Sequence, residues 1–515
     1  MPRSVRPRTQ RRARARAAQQ VHPARHVRRA CRAPRVAPPP AGAREDQPLY
    51  ASVYALLRAH LPAGRYGKPA AKRLAVLVSG LVAGDTCGLG GLARTVEGLA
   101  VTPAKPESIG RRLRRLLDDA RLDPTHALPD LLATLVPVLL EAVVAQHAAA
   151  AQQGAGAHRR WGGRAGLRLV VDETSQAEHV HILAVGLAYR GVVLPLLART
   201  WHQNAPLPEG AYWTELQGLL LQAHGLLPPS LRDHVLLVAD RFYGVPRLLD
   251  LCAALGWHWL LRVQDQTRVL VRGGATLALR ALVARPGATW FGRFDPPGAP
   301  PGAAGAPAAG GAVVPGATPI AGVFKAAGWR ASQVVGVWAA GAADPWLLVT
   351  SLAPTRARLR EYAQRWGIER LFLSWKSHGW DLEACGVRDP VRLGRLLTGL
   401  VLATHWRLAA GVVDAAAHLA DLAARARRRA PAVWQLALPL APPAAAAPAG
   451  GGPPPAPFGA SRPAAAKLSL LTRGWAVCRR TACRAHTPPV QWALPDWDAP
   501  IWSRQAQQVY DGPTP

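Results

Sequence analysis

The sequence predicts a mixed α/β protein, with helices packed on a mixed sheet, an all-β segment interrupting it and a helical region before it. Three observations carry this. Strand-type runs open at Leu167 and then alternate with helical ones to about residue 263. Short strands alone occupy 264–343, and residues 49–152 and 391–428 have helical periodicity rich in Ala, Leu and Arg. The 515 residues suffice for two or three domains, and a net charge of +32 makes a polyanion the natural partner. Membrane surface is the competing polyanion. The apolar windows 73–93 and 128–146 argue against spanning, because they contain Asp85, Asp130, Pro137 and Glu141. No secretory signal pattern follows Met1, and six scattered cysteines fit reduced thiols in a cytoplasm.

In chain order, residues 1–46 are dominated by Arg, Pro, Ala and Gln and read as a disordered basic arm for DNA phosphates, or as an over-long start. Residues 47–155 read as a helical DNA-binding domain. Within it, a helix at 89–98 and a second one N-capped by Ser108 suggest a helix-turn-helix, with Arg111, Arg112 and Arg115 toward DNA. A plain solvated arginine face fits the same residues. Residues 160–263 form the first part of a core: strands at 167–172, 180–189 and 192–198, a helix at 212–224, a strand at 234–240, a helix at 245–255 and a strand at 257–263.

The insertion at 264–343 carries strands at 267–271, 288–294 and 333–338 around a Pro/Gly/Ala tract, 296–322, whose composition reads as a mobile loop. Residues 344–430 resume the core with a strand at 346–350, one helix over 355–378 and a helical stretch at 391–428. Residues 431–515 are a Pro/Ala-rich linker and tail, with a last helix at 468–484. Cys478, Cys483 and His486 lack the fourth ligand and the spacing of a zinc site.

Two apolar strands end on aspartates, Asp172 and Asp240. Either alone is an ordinary turn former. On the later helix, offsets of 3, 7 and 14 from Tyr362 bring Arg365, Glu369 and Lys376 within an arc of about 60°. Apolar residues fill most of the rest of that helix, so its charged stripe needs partners. Three converging carboxylates raise one another's pKa unless cations neutralise them, and Mg²⁺ is the hard, oxygen-seeking choice. Two such ions about 4 Å apart serve in-line phosphoryl transfer.

Asp172-Glu-Thr, Asp240-Arg241-Phe-Tyr-Gly244 and the spacing Tyr362-x2-Arg365-x3-Glu369-x6-Lys376 resemble the DDE transposases of bacterial insertion sequences, in the insertion-sequence-four group. The resemblance covers about residues 160–410. It implies an RNase H-like catalytic fold with an all-β insertion, and a metal-binding catalytic triad of Asp172, Asp240 and Glu369. Two Mg²⁺ ions, replaceable by Mn²⁺, would be held there. It further implies DNA contacts from Tyr362, Arg365, Lys376 and Arg241, and a flipped base stacked on Trp346. The implied partners are double-stranded DNA, as terminal inverted repeats and target, and a second copy of the chain; the implied location is the bacterial cytoplasm. The rivals are a nuclease of the same fold, a catalytically inactive DNA-binding derivative, and a basic protein of RNA or membrane surfaces.

Overall fold

The computed structural model describes residues 47–152, 166–205, 207–296, 317–325, 328–429, 469–484, 486 and 488–495. The predicted basic arm at 1–46, the linker at 441–465 and positions 297–316 of the Pro/Gly/Ala tract lie outside the described residues.

Among the described residues, six helices precede the sheet: α1 (Pro48–His60), α2 (Lys68–Ala83), α3 (Leu89–Gly98), α4 (Pro106–Leu117), α5 (Pro124–Leu139) and α6 (Glu141–Gln152). In α4, Ile109, Leu113, Leu116 and Leu117 are buried while Arg111, Arg112, Arg114 and Arg115 are exposed. That is the amphipathic division its sequence predicts. Its N-cap is Lys105 instead of Ser108, because Pro106, with fixed φ and no N–H, suits the first helical position.

One end of the sheet comes next. β1 (Leu167–Gln176), β2 (Val180–Tyr189) and β3 (Val192–His202) form an antiparallel meander. Its second turn needs two left-handed residues, which Arg190 and Gly191 supply with φ of 47° and 81°. After α7 (Ala211–Leu226), β4 (Val235–Ala239) returns parallel to β1; all five of its residues are buried, as an apolar run between two neighbours requires. α8 (Pro246–Ala254) leads to β5 (His258–Arg262), again parallel.

The insertion is not a separate β body. β6 (Arg268–Val271), β7 (Thr276–Ala278), the single-turn α9 (Leu279–Leu282), β8 (Thr289–Phe294), β9 (Thr318–Val323), β10 (Gln333–Val337) and β11 (Trp346–Thr350) carry the core sheet outward. One eleven-stranded sheet results, in the order β3-β2-β1-β4-β5-β11-β10-β8-β9-β6-β7. Two corrections follow. The segment contains a helical turn, and the end of the predicted loop tract is strand β9, ordered by parallel pairing with β8 and antiparallel pairing with β6.

After β11 come α10 (Ala357–Ala363), α11 (Trp366–Leu373), α12 (Pro390–Arg429) and α13 (Leu470–Cys483). Residues 390–418 of α12 are long and apolar enough to cross a bilayer, but the most apolar 18-residue window within them is 94% buried inside the protein, as in a core helix. Its Arg407 is 3% exposed. The guanidinium donates to the carbonyls of Leu81 (2.7 Å), Val82 (3.1 Å) and Gly84 and lies 3.9 Å from the Trp380 ring. A buried cation without a carboxylate is tolerable there because the carbonyl end of α2 presents partial negative charge. α13 packs on the same place: its Gly474 backbone meets the Arg407 carbonyl so closely that a Cβ has no room.

His405 of α12 sits fully inside, its Nε2–H donating to the Pro195 carbonyl (2.6 Å), and burial lowers its pKa to about 4. Between pH 6.5 and 4 the unfolded chain therefore binds a proton that the folded one refuses, so stability falls as pH falls through that window. The total is about 3 kcal/mol. Urea unfolding of the intact chain and of His405→Gln at pH 7 and 4.5 isolates this loss: relative to the intact chain, the variant is expected to gain most of this amount on going to the lower pH, while the opposing contribution of Asp172 cancels in the comparison.

Candidate active site

The register of β1 against β4 positions the aspartates. Leu167 to Val170 pair with Val235 to Val238, so two residues further on Asp172 and Asp240 stand at matching positions of parallel neighbours. Such neighbours lie about 4.8 Å apart, and matching positions share a face. Here β4 ends at Ala239 while β1 continues to Gln176, so β1 does not end on its aspartate as the sequence suggested. Asp240 thus sits where the sheet opens beyond the carboxyl ends of two parallel strands, the usual place for a site in such folds.

The turn Asp240-Arg-Phe-Tyr-Gly244 is locally determined. The Phe242 N–H donates to Asp240 Oδ1 (2.9 Å), the Tyr243 N–H to the Asp240 carbonyl (3.2 Å), and the Tyr243 side chain is buried at 1% exposure. Position 244 must be glycine because its backbone is pressed against the carbonyl of Arg262 on β5.

The helix predicted over 355–378 is three segments. α10 stops at Ala363, and Gln364 and Arg365 follow in right-handed conformation with tightened i to i−3 bonds, including Arg365 N–H to the Tyr362 carbonyl (3.0 Å). α11 then runs into a π-helical turn, Ser374–His378. Gly367 lets α11 lie against the start of β3, where a Cβ would come within 3.1 Å of the Val192 carbonyl carbon.

This path carries Arg365 to the aspartates. Its guanidinium donates to Asp172 Oδ2 (2.9 Å) and Glu369 Oε1 (2.5 Å), with the Arg365, Asp172 and Glu369 side chains 13%, 16% and 52% exposed. Burial raises the Asp172 pKa to about 6 against the pull of Arg365, and the charges of Asp240 and Glu369 raise it further. Asp240 and Glu369 therefore both act on Asp172, and Arg365 bridges Asp172 and Glu369. Lys376 Nζ donates to Thr174 Oγ1 (3.4 Å) and pairs with Glu383 (3.2 Å).

The remaining candidates divide. Tyr362 is 3% exposed, in a small core with Leu236, Val238 and Leu348; Trp346 packs edge-on against it at 5.0 Å and against Trp366 at 5.4 Å. Arg241 is exposed beside Asp240. Arg111, Arg112 and Arg115 lie on α4, which packs on α2, α3 and α12.

Residues 215–406 match the family model of a transposase DDE domain. The match spans under half of the chain, takes in Asp240 and Glu369 and begins after Asp172. No curated protein matches the chain. The family match supports a DDE transposase and suggests a metal-dependent enzyme that cuts nucleic acid. The mixed sheet with its order β3-β2-β1-β4-β5 is consistent with an RNase H-like transposase fold. The donor chemistry fits such a metal: three carboxylates are hard oxygen ligands, and the cost of an ionised Asp172, set first by burial and then by the neighbouring charges, is what a cation relieves. Among the described residues no three metal-ligating side chains form a ready-made cage, and the Arg365 guanidinium lies between Asp172 and Glu369.

Sequence reasoning missed the other wall of the site. Alternation along β1 turns Glu173 to the face opposite Asp172, where its Oε1 meets His181 Nδ1 on β2 (2.5 Å). Two adjacent acids in an alternating strand were the available signal.

Proposed function

We propose that this chain is a transposase that binds the terminal inverted repeats of its element, cleaves at their ends and joins the freed 3′-hydroxyls to target DNA. The observation that carries the reading is the register-matched pair Asp172 and Asp240, with Glu369 tied to it through Arg365. Asp172, Asp240 and Glu369 would hold two Mg²⁺ ions, with Mn²⁺ as a substitute. When bound, such ions activate the attacking oxygen and stabilise the leaving one.

The chain's own residues do the rest. Arg365 keeps Asp172 ionised and orients Glu369, and its forked donors suit a phosphate once DNA arrives. Lys376, anchored by Thr174 and Glu383, sets a second positive charge beside β1. Arg241 and the α4 arginines extend the basic surface to the flanking duplex. Tyr362, being buried, supports Trp346 from behind. Strand transfer needs two ends held together, so a dimer on DNA is part of the proposal.

The test is cleavage of a linear duplex carrying the element's own end, with Mg²⁺ or with chelator, by the intact chain and by Glu369→Ala. Release of a 3′-hydroxyl end by the intact chain with Mg²⁺ alone is expected. Binding without cleavage by both proteins would leave a non-catalytic DNA-binding derivative as the better reading.

A further inference from the structure

The loop between α2 and α3 meets the turn that follows the Glu369 helix. The Cys87 N–H donates to the Trp380 carbonyl, and the Trp380 Nε1–H donates back to the Leu81 carbonyl (2.7 Å). Gly88, the next residue, stands over the peptide that joins Ala384 to Cys385, where an added Cβ would lie 4.0 Å from the Ala384 carbonyl oxygen. Two thiols from distant parts of the chain, Cys87 and Cys385, are thereby brought together, and the carboxylate site uses neither. They differ in access. Cys87 is 0% exposed; Cys385 is 7% exposed, and both its chain neighbours, Ala384 and Gly386, face solvent. The Cys385 sulfur accepts from the Val387 N–H (3.4 Å) and from Gln176 Nε2 (3.8 Å), on a residue that is itself 1% exposed. N–H donors aimed at a sulfur favour the thiolate, the form that attacks a disulfide. Burial pushes both thiols above their ordinary range, and at Cys385 the Val387 N–H opposes it.

We propose that Cys87 and Cys385 are a redox site: a reversible disulfide formed by exchange with a small disulfide of the glutathione class, Cys385 attacking and Cys87 resolving. The Cys385 thiolate attacks one sulfur of the small disulfide, and its proton leaves with the first small thiol released. Cys87 then attacks the Cys385 sulfur of the mixed disulfide, and the second small thiol leaves with the Cys87 proton. Two protein thiols are oxidised while one small disulfide is reduced to two thiols. The bond would fasten the α2–α3 loop to the turn that carries Glu383, the partner of Lys376. It would also engage the sulfur that Gln176, the last residue of β1, holds by its amide. In a reducing compartment such a bond forms transiently, as a response to oxidant and not as a permanent brace.

The experiment treats the folded full chain with oxidised glutathione in the absence of denaturant, blocks the remaining thiols and maps every cysteine by mass spectrometry of its peptides. Cys483, which is exposed, is the control and should carry glutathione. In that sample a peptide pair joined through Cys87 and Cys385 is expected from most chains, and dithiothreitol should return both to thiols. Cys87→Ala should stop at glutathione on Cys385, and Cys385→Ala should leave Cys87 a free thiol. Recovery of Cys87 and Cys385 as free thiols beside a modified Cys483 overturns the proposal. So does a bond from either to Cys252 or Cys478, or glutathione on Cys385 with Cys87 still free. The intact chain decides this without either variant, and no outcome touches the transposase reading, since no DNA is present.

Discussion

Asp172→Asn is expected to abolish cleavage and to make the protein more stable. On the proposed reading Asp172 is a metal ligand, and its loss should reduce the rate of end cleavage by about a thousandfold or more, equivalent to about 4 kcal/mol of barrier, with DNA affinity retained. The stability change has the opposite sign from most core substitutions. The folded Asp172 has a pKa raised from 3.8 to about 6, so between those values the folded state holds the proton more firmly than the unfolded one. Stability consequently declines as pH rises through that window, and above it the ionised carboxylate costs about 3 kcal/mol. Asparagine removes that cost but deprives Arg365 of one partner. The net gain at pH 8 in chelator should be about 1–2 kcal/mol, seen as a melting temperature a few degrees higher. A lower melting temperature would mean that Asp172 supports the fold, and that its burial is structural.

The second large effect is on the packing of the last helix. Gly474→Ala directs a methyl group into the Arg407 carbonyl, and Gly411 on α12 is in turn pressed against the Leu470 carbonyl. Neither contact involves a flexible side chain that could yield. The substitution should cost at least about 3 kcal/mol, measured by denaturant unfolding. Gly218→Ala on α7 is the matched control, because its added methyl meets nothing within 4 Å. There alanine should stabilise by about 0.5–1 kcal/mol through helix propensity.

What the sequence disclosed follows from how local each signal is. β1 to β5 were legible because alternation or continuous apolarity marks each one by itself. The Arg365 and Glu369 pair was legible because one helical turn separates them, and the structure joins them in an ion pair of 2.5 Å. Strands β7 and β9 were not, since Thr276–Ala278 and Thr318–Val323 are strands through partners distant in sequence. The break at Gln364 and the π turn at Ser374–His378 alter a helix without changing its composition, so periodicity passes over both. Arg407 reads as surface in any composition-based view; only the end of α2 beside it explains its burial.

The carbonyl end of α2 receives its guanidinium from a residue 323 to 326 positions later. A ribosome delivers these parts in a fixed order, front first. Until α12 has emerged, α2 keeps water on its last carbonyls. α4 likewise lacks Arg395, which later binds the Leu117 and Leu122 carbonyls at 2.6 and 3.1 Å. The carbonyl end of α4 therefore gains its last hydrogen bonds only when the Glu369 helix has already been made. A chain that stops before α12 keeps the packing of α4 on α2 and α3 but lacks the arginines that close the carbonyl ends of α2 and α4, so the front of the molecule is completed by residues made after Glu369.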